Sequence, residues 1–427
     1  MKVSRDERLR VAVIGSGVAG LTAAHVINRS HAVTLYEQES TLGGHANTVD
    51  VHTADGRTLG LDTGFIVHNR RTYPTLIRLF AELGVATQDS DMSFGVHCDG
   101  CGLEYAGARG LAGIVPRVST LARPRYLRML AEVKRFHRHA RRVLSDASRD
   151  RITFGAMLAE GSYSRYFREH FALPLTGAIW SSPNGGMLDF PARYLIRFFA
   201  NHGMLTVTNP LRWRTVTGGS RSYVSRIAET LGDGVLLGTG ARRVTRTAGG
   251  VVVADSAGGE RRFDRLVIAT HPDQALRLLA DASDAERHTL GAFSYVANET
   301  VLHTDRSFLP TAHGAQASWN SRLDRCAQDT NRVQVTYHLN RLQALDEPLD
   351  YCVTLNQTER IDPQQVLASM VYEHPVYTLE TPAAQHQLAA LNGQRETYFC
   401  GAYHGWGFHE DGCLSGLRAA TAMGCDW

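Results

Sequence analysis

The first forty positions carry two short, mostly apolar runs separated by a stretch rich in small side chains. Residues 11–14, Val-Ala-Val-Ile, carry no polar side chain and predict a strand buried on both faces. Residues 33–36, Val-Thr-Leu-Tyr, predict a second strand, and Leu21-Thr22-Ala23-Ala24 predicts a helix between the two. Strand, helix and strand in this order form a βαβ unit with parallel strands. A further helix is expected over residues 73–83. Residues 92–96 and 103–105 are strand-like and flank Asp99-Gly100, a hairpin turn. Over residues 125–144, Leu130, Val133, Phe136, Ala140 and Val143 recur at three-four spacing, the signature of one helix face. Arg128, Arg135, Arg138 and Arg142 occupy the other face. Residues 205–216 read as irregular, and a helix is expected over 222–231. Residues 251–254 and 261–263 predict a hairpin, and 264–270 a strand that His271-Pro272 stops. Strands are expected at 299–303, 332–339, 351–355 and 397–400, and a last helix at 414–420.

The turn between the first strand and its helix carries Gly15, Gly17 and Gly20 at G-x-G-x-x-G spacing. Gly15 permits a sharp turn, Gly17 a close backbone approach to a pyrophosphate, and Gly20 tight packing of helix on strand. The helix N-terminus then faces the phosphate charge. Glu37 ends the second strand, where a carboxylate accepts hydrogen bonds from ribose hydroxyls. Val18, Ala19 and Gln38 complete this set of candidate contacts. Strand, glycines, helix, strand and acid in sequence specify a dinucleotide site far more strongly than the glycines alone.

Leu42-Gly43-Gly44 follows the acid, an element that nicotinamide-binding folds do not generally carry. With it the N-terminus resembles the FAD-containing amine oxidase superfamily, which includes monoamine oxidases, phytoene desaturases, protoporphyrinogen oxidases and flavin-dependent fatty-acid double-bond isomerases. The resemblance implies noncovalent FAD, with Gly43 and Gly44 along its pyrophosphate and ribityl chain. His45 stands where amine oxidases usually have Arg. Thr63, Gly64 and Phe65 resemble the family segment that passes the reactive edge of the flavin, and Val244 the residue whose backbone meets the adenine. At the far end, residues 397–400, Gly401 and the helix after the 404–412 loop resemble the family's closing strand, glycine and helix. The resemblance places Gly401, Phe408 and Gly412 at the flavin and the aromatic residues Tyr403 and Trp406 toward substrate. Family members usually carry an acid two residues after that first glycine; this chain has Tyr403 there. The whole chain resembles a bacterial branch of the superfamily described as predicted NAD/FAD-binding proteins, whose members often accompany enzymes that modify unsaturated fatty-acyl chains.

The fold expected is α/β. A Rossmann-like FAD-binding domain of the glutathione-reductase type is assembled from residues 1–90, 205–285 and 391–427. An α+β substrate domain, residues 91–204 and 286–390, is interleaved with it.

Composition narrows the function. The chain has 427 residues and a net charge of +3, which argues against a nucleic-acid partner. No apolar run approaches the ~20 residues of a membrane-spanning helix. The charged N-terminus lacks a secretory pattern, and the seven cysteines are scattered, so a reducing cytoplasm is expected. Residues 117–151 hold 11 basic and 3 acidic residues, a net of +8. They are either a solvated face or a peripheral contact with the anionic inner face of a membrane. Cys98-Asp99-Gly100-Cys101 has C-x-x-C spacing, but a zinc site would need a second pair, so two thiols across a tight turn are expected and no metal.

No second dinucleotide fingerprint occurs, so electrons are expected from substrate rather than from NAD(P)H. Lys2 and Lys134 are the only lysines, and neither is placed to hold a water at the flavin as many amine oxidases do. His409, with Glu410 and Asp411 behind it, is a candidate proton donor. Residues 175–183 and 198–205, with His202, suit the walls of a long cavity. Residues 318–320 and 337–340 are polar-aromatic patches that surface turns explain equally well. The expected activity is hydride transfer on a hydrophobic substrate: desaturation, oxidation or isomerisation of a fatty-acyl or polyene chain. Amine or amino-acid oxidation, and a flavin-bearing partner subunit of a lipid-modifying enzyme, are the alternatives.

Overall fold

The computed structural model describes residues 8–181, 184–205, 211–327 and 333–427. A five-stranded parallel sheet lies at its centre, in the order Val235–Leu236, Ala32–Tyr36, Arg10–Ile14, Arg265–Ile268, Thr397–Phe399. The apolar run of the first strand is explained by burial on both sides. Val11 and Val13 enter one core with the helices Val18–Ile27, Pro74–Leu83, Arg221–Leu231 and His409–Ala422. Ala12 and Ile14 enter another, under the three-stranded sheet Ala241–Thr247, Gly250–Asp255 and Glu260–Phe263.

A seven-stranded sheet forms the second body. Its order is Val366–Val376, Ser294–His303, Cys352–Leu355, Val335–His338, Trp319–Leu323, Phe94–Cys98, Leu103–Gly107. All neighbours are antiparallel except Trp319–Leu323 beside Phe94–Cys98. Helices Pro124–Ser145, Phe154–Glu160, Leu173–Trp180 and Ala192–Asn201 pack together over one end around Phe136, Phe154, Phe167, Phe190 and Phe199.

Several expectations need correction. Trp213–Val216 is a strand, not irregular chain; it pairs with both Val67–Asn69 and Thr87–Ser90, contacts remote in sequence. Residues 206–210 of that stretch, like Ser182 and Pro183 of the expected wall, lie outside the described residues. The longest strand, Val366–Val376, was not expected at all. It is an edge strand with no fully buried residue, and apolar Leu367 and Val371 stand on its exposed side, so its alternation is not written in the hydrophobic pattern. The last helix begins at His409, because Asp411 accepts the Phe408 N–H at 3.0 Å and closes the first turn. The basic helix spans Pro124–Ser145, and its buried side includes Tyr126 and Met129 beside Phe136, Ala140 and Val143, while Leu130 and Val133 are half-buried. No helix among the described residues is long and apolar enough to cross a membrane.

Candidate active site

A cavity of about 770 Å³ runs from the end of the parallel sheet to the seven-stranded sheet and the helical lobe. Its size suits a small-molecule site.

At one end the first glycine turn is fixed by the Gly15 N–H donating to the Tyr36 carbonyl at 2.9 Å. Gly15 sits at φ +98°, where a side chain is strained. Gly17 and Gly43 form a parallel bridge, and the Gly43 N–H donates to Ser16 Oγ at 3.1 Å, so the two glycine loops lie side by side. Glu37 accepts the Ser16 N–H at 2.9 Å and Ser16 Oγ at 2.5 Å on one oxygen, and the Glu39 N–H at 3.0 Å on the other. A carboxylate has about four acceptor positions, so room for a ribose hydroxyl remains.

The next wall is built on the first. Thr63 and Phe65 N–H groups donate to the Asn47 and His45 carbonyls at 3.0 and 2.7 Å. Gly64 is required there, since a Cβ would stand 2.3 Å from the His45 carbonyl oxygen. His45 stacks on Tyr372 with centroids 4.8 Å apart, and Phe65 stacks on His409 at 3.6 Å.

Gly15, Gly17, Val18, Ala19, Glu37, Gln38, Gly44, His45, Thr63, Gly64, Phe65, Gly401, Tyr403, Trp406, Phe408 and His409 all line the cavity. Four expected contacts do not. Gly20 and Gly412 serve packing: a Cβ on Gly20 would meet the Gly15 carbonyl oxygen at 1.9 Å, and one on Gly412 would meet Val18 at 2.6 Å. Gly43 braces its loop from behind. Val244 is fully buried in the core below, and Gly240, Ala241 and Arg242 face the cavity instead. The strand begins at Ala241, so by Val244 the chain has already left the cavity for the core.

The residues fit FAD. Tyr36 Oη, Tyr403 Oη and Trp406 Nε1 are buried and make no hydrogen bond within the chain, and all three residues line the cavity. Such groups call for a polar ligand. Two helices, Val18–Ile27 and His409–Ala422, begin at the cavity, where their first N–H groups favour negative charge.

The far half is apolar and aromatic. Ile179, Trp180, Phe198, Trp213, Trp319, Tyr337, Val353 and Leu355 form it. Trp319 and Tyr337 are therefore cavity wall rather than surface turn; they face each other in register with rings 5.4 Å apart. Phe198 stacks on Phe408 at 4.8 Å and on His202 at 3.9 Å. Tyr372, His374 and Trp213 were missed in the sequence because their strands were misread or unexpected.

Burial disfavours the protonated form of the histidines around the cavity. Burial, then the nearby His271, pulls His45 down to about 4. Burial brings His202 to about 4 and, with His45 and His271 adding to it, His374 to about 3. Burial holds His409 well below its ordinary value, and its Nε2 lies 2.9 Å from Tyr223 Oη. Burial thus disfavours the protonated form of His409. Glu410 accepts the Thr75 and Leu76 N–H groups at 3.0 Å and caps another helix. Asp411 points back to its own helix start, and burial pushes it up to about 7.

Comparison with known proteins adds three findings. A family model described as flavin-containing amine oxidoreductase matches residues 18–424. Among curated proteins, a bilirubin reductase of Mediterraneibacter gnavus is 51% identical over 47 residues, 11% of this chain. A carotenoid phi-ring synthase of Streptomyces griseus is 35% identical over 116 residues, 26% of this chain. These matches span only 7% and 21% of the relatives' own lengths. Among solved structures, a CLA-producing fatty acid isomerase from P. acnes superimposes with TM-score 0.67 at 18% identity, covering 97% of this chain and 98% of that one. Cyclohexylamine oxidase from Brevibacterium oxydans gives 0.68 at 17%, covering 97% and 98%. At these identities the likeness is one of fold.

Proposed function

The chain belongs to the flavin-containing amine oxidoreductase family, and from that premise we propose that it desaturates, oxidises or isomerises a fatty-acyl or polyene chain. It is an FAD-dependent oxidoreductase. Bound FAD supplies two-electron hydride chemistry. The chain's own residues bind and orient both partners and keep water out.

The observation that carries the substrate reading is the cavity's far half. Among the described lining residues the charged ones are Glu37, Arg242, Arg277 and Glu373. None stands in the aromatic half, and burial disfavours a charge on His202 there. An ammonium group would enter without a carboxylate to receive it, at a desolvation cost of several kcal/mol. An apolar chain enters with gain. Lys134 is exposed on the basic helix, and Lys2 lies outside the described residues, so no lysine lines the cavity among the described residues. The carotenoid phi-ring synthase, 35% identical over 116 residues, is named for a polyene.

The substrate reading extends to a membrane. Leu111 and Val118 are 81% and 84% exposed, and Leu121 and Leu127 are also exposed. They alternate with Arg117, Arg125 and Arg128. Apolar side chains among arginines suit the anionic surface from which an acyl chain would come.

Anaerobic titration of the purified flavoprotein tests the substrate class. Unsaturated acyl chains or polyenes should bleach the flavin, or emerge with a shifted double bond seen as new diene absorbance. Amines should do neither. Saturable bleaching by amines, with acyl and polyene chains inert, overturns the proposal.

A further inference from the structure

Outside the cavity the chain gathers a second set of reactive side chains. Spacing along the sequence offers only Cys98 and Cys101. The fold brings two more ligands from elsewhere. Cys98 ends the strand Phe94–Cys98, and Leu323 lies opposite it in the parallel neighbour Trp319–Leu323. Cys326, three residues on, therefore arrives at the same end of the sheet, its Sγ 3.9 Å from that of Cys98. His170 comes from a π-helical turn, Arg168–Ala172, with Nε2 3.6 Å from Cys101 Sγ. The three sulfurs and the ring nitrogen all lie within 4.8 Å of one another. A tetrahedral zinc ion, with bonds of about 2.3 Å to sulfur and about 2.0 Å to nitrogen, sets such atoms about 3.5–3.8 Å apart.

The surroundings are built to hold these groups. His170 Nδ1 lies 3.1 Å from the Tyr166 carbonyl oxygen, which can only accept. Nδ1 therefore carries the hydrogen, and Nε2 presents its lone pair to the sulfurs, as in zinc-bound histidines. Tyr105 Oη donates to the His170 carbonyl at 2.7 Å, and Arg123 to the Cys101 carbonyl at 2.7 Å. Gly102, at φ +64°, closes the turn with its N–H on the Cys98 carbonyl at 2.8 Å. Gly100 lets the two cysteine loops meet. A Cβ there would stand 2.8 Å from Arg325 Cα and 3.1 Å from the Cys326 nitrogen. Cys98 is buried, and Cys101 and Cys326 are half-buried.

We propose that Cys98, Cys101, His170 and Cys326 bind one zinc ion in a closed Cys3His tetrahedron. Four protein ligands leave no open position, so the ion is structural. Three thiolates and an imidazole suit zinc better than harder divalent ions, which favour oxygen ligands. The site would clamp the seven-stranded sheet to the turn that leads into Leu173–Trp180. That helix carries Ile179 and Trp180 of the cavity wall. The zinc proposal stands apart from the substrate reading.

The test uses the full, untagged, FAD-loaded protein purified without chelator. Elemental analysis should find about one zinc per chain. Cys326→Ser and His170→Ala should each lower the zinc content at least several-fold, while Cys425→Ser, a buried cysteine elsewhere, should keep it. If the ligand variants fail to fold, cobalt exchanged into the wild type should give thiolate charge-transfer and tetrahedral ligand-field bands. Wild type that holds no zinc and shows no such bands with cobalt overturns the proposal. So does a Cys98–Cys326 disulfide found in the metal-free native protein.

Discussion

Alanine at Gly20 and at Gly17 should separate folding from cofactor binding, although both belong to one motif. A Cβ on Gly20 would lie 1.9 Å from the Gly15 carbonyl oxygen and 3.0 Å from Ala269 Cβ. Neither atom is the end of a flexible side chain, so the Val18–Ile27 helix must move off its strand. Overpacking of this kind costs about 1–3 kcal/mol. Alanine's better helix propensity returns at most about 1 kcal/mol of that. Gly17 differs: a Cβ there meets nothing within 4 Å, and its φ of −63° and ψ of 171° suit any residue. Alanine at 17 should leave the fold unchanged or raise its stability by about 0.4–1 kcal/mol through the unfolded chain. Gly17 lines the cavity, however, and a methyl there takes space where the pyrophosphate must approach the helix N-terminus. Losing one charge-assisted hydrogen bond of about 1.5–3 kcal/mol weakens FAD binding about 10–150-fold. Denaturant melts of apoprotein followed by tryptophan fluorescence give the stability arm, and quenching of flavin fluorescence gives the affinity arm. Gly17→Ala with undiminished FAD affinity, or with a stability loss equal to that of Gly20→Ala, would refute the reasoning.

Three further outcomes are expected. Arg246 and Glu286 form a buried pair, their side chains 1% and 4% exposed, and Asp281 holds the same guanidinium at 2.9 Å, so Glu286→Ala should cost about 1.5–3 kcal/mol, the loss of charged hydrogen bonds without stranding the cation, as a urea melt would show. Burial pushes the Glu286 carboxyl up, but Arg246 and the Ser283 N–H outweigh it and hold it below its usual value. Its stabilising effect is therefore complete above the unfolded carboxyl's pKa and is lost as pH falls through the lower folded one; Glu286→Gln should flatten that acid limb of a stability–pH curve. NADH and NADPH should not reduce the flavin at a catalytic rate in anaerobic stopped flow, since the chain carries one dinucleotide fingerprint; saturable bleaching by either would contradict this. Co-sedimentation with anionic vesicles should fall with added salt and drop further in Arg125→Glu/Arg138→Glu, the flavin spectrum staying unchanged. Arg135 is left in place because it donates to the Ser162 carbonyl and stacks on Tyr163. Equal sedimentation of variant and wild type would leave the basic helix a solvated face.

What the sequence determined by itself was local. The Val11–Ile14 run, the three glycines, Glu37 and the second glycine loop lie within thirty-five residues, and each imposes its conformation through its immediate neighbours. Dinucleotide chemistry, the parallel sheet and the family could thus be read from order and spacing. The same held for the hairpin around Asp99-Gly100 and for the helix of residues 124–145, whose periodicities are their own evidence. The tertiary structure decided whatever depends on register between distant strands. Trp319 and Tyr337 become cavity wall because they pair opposite each other, and Trp213 because its strand bridges two others. Burial, a property of the whole fold, disfavours the protonated form of His409, and the fold brings no carboxylate or basic side chain into the aromatic half of the cavity. Cys326 and His170 reach Cys98 and Cys101 only because one parallel pairing and one helical turn end at the same place. Hydrophobic periodicity reports which face of an element is buried, but not which other element buries it.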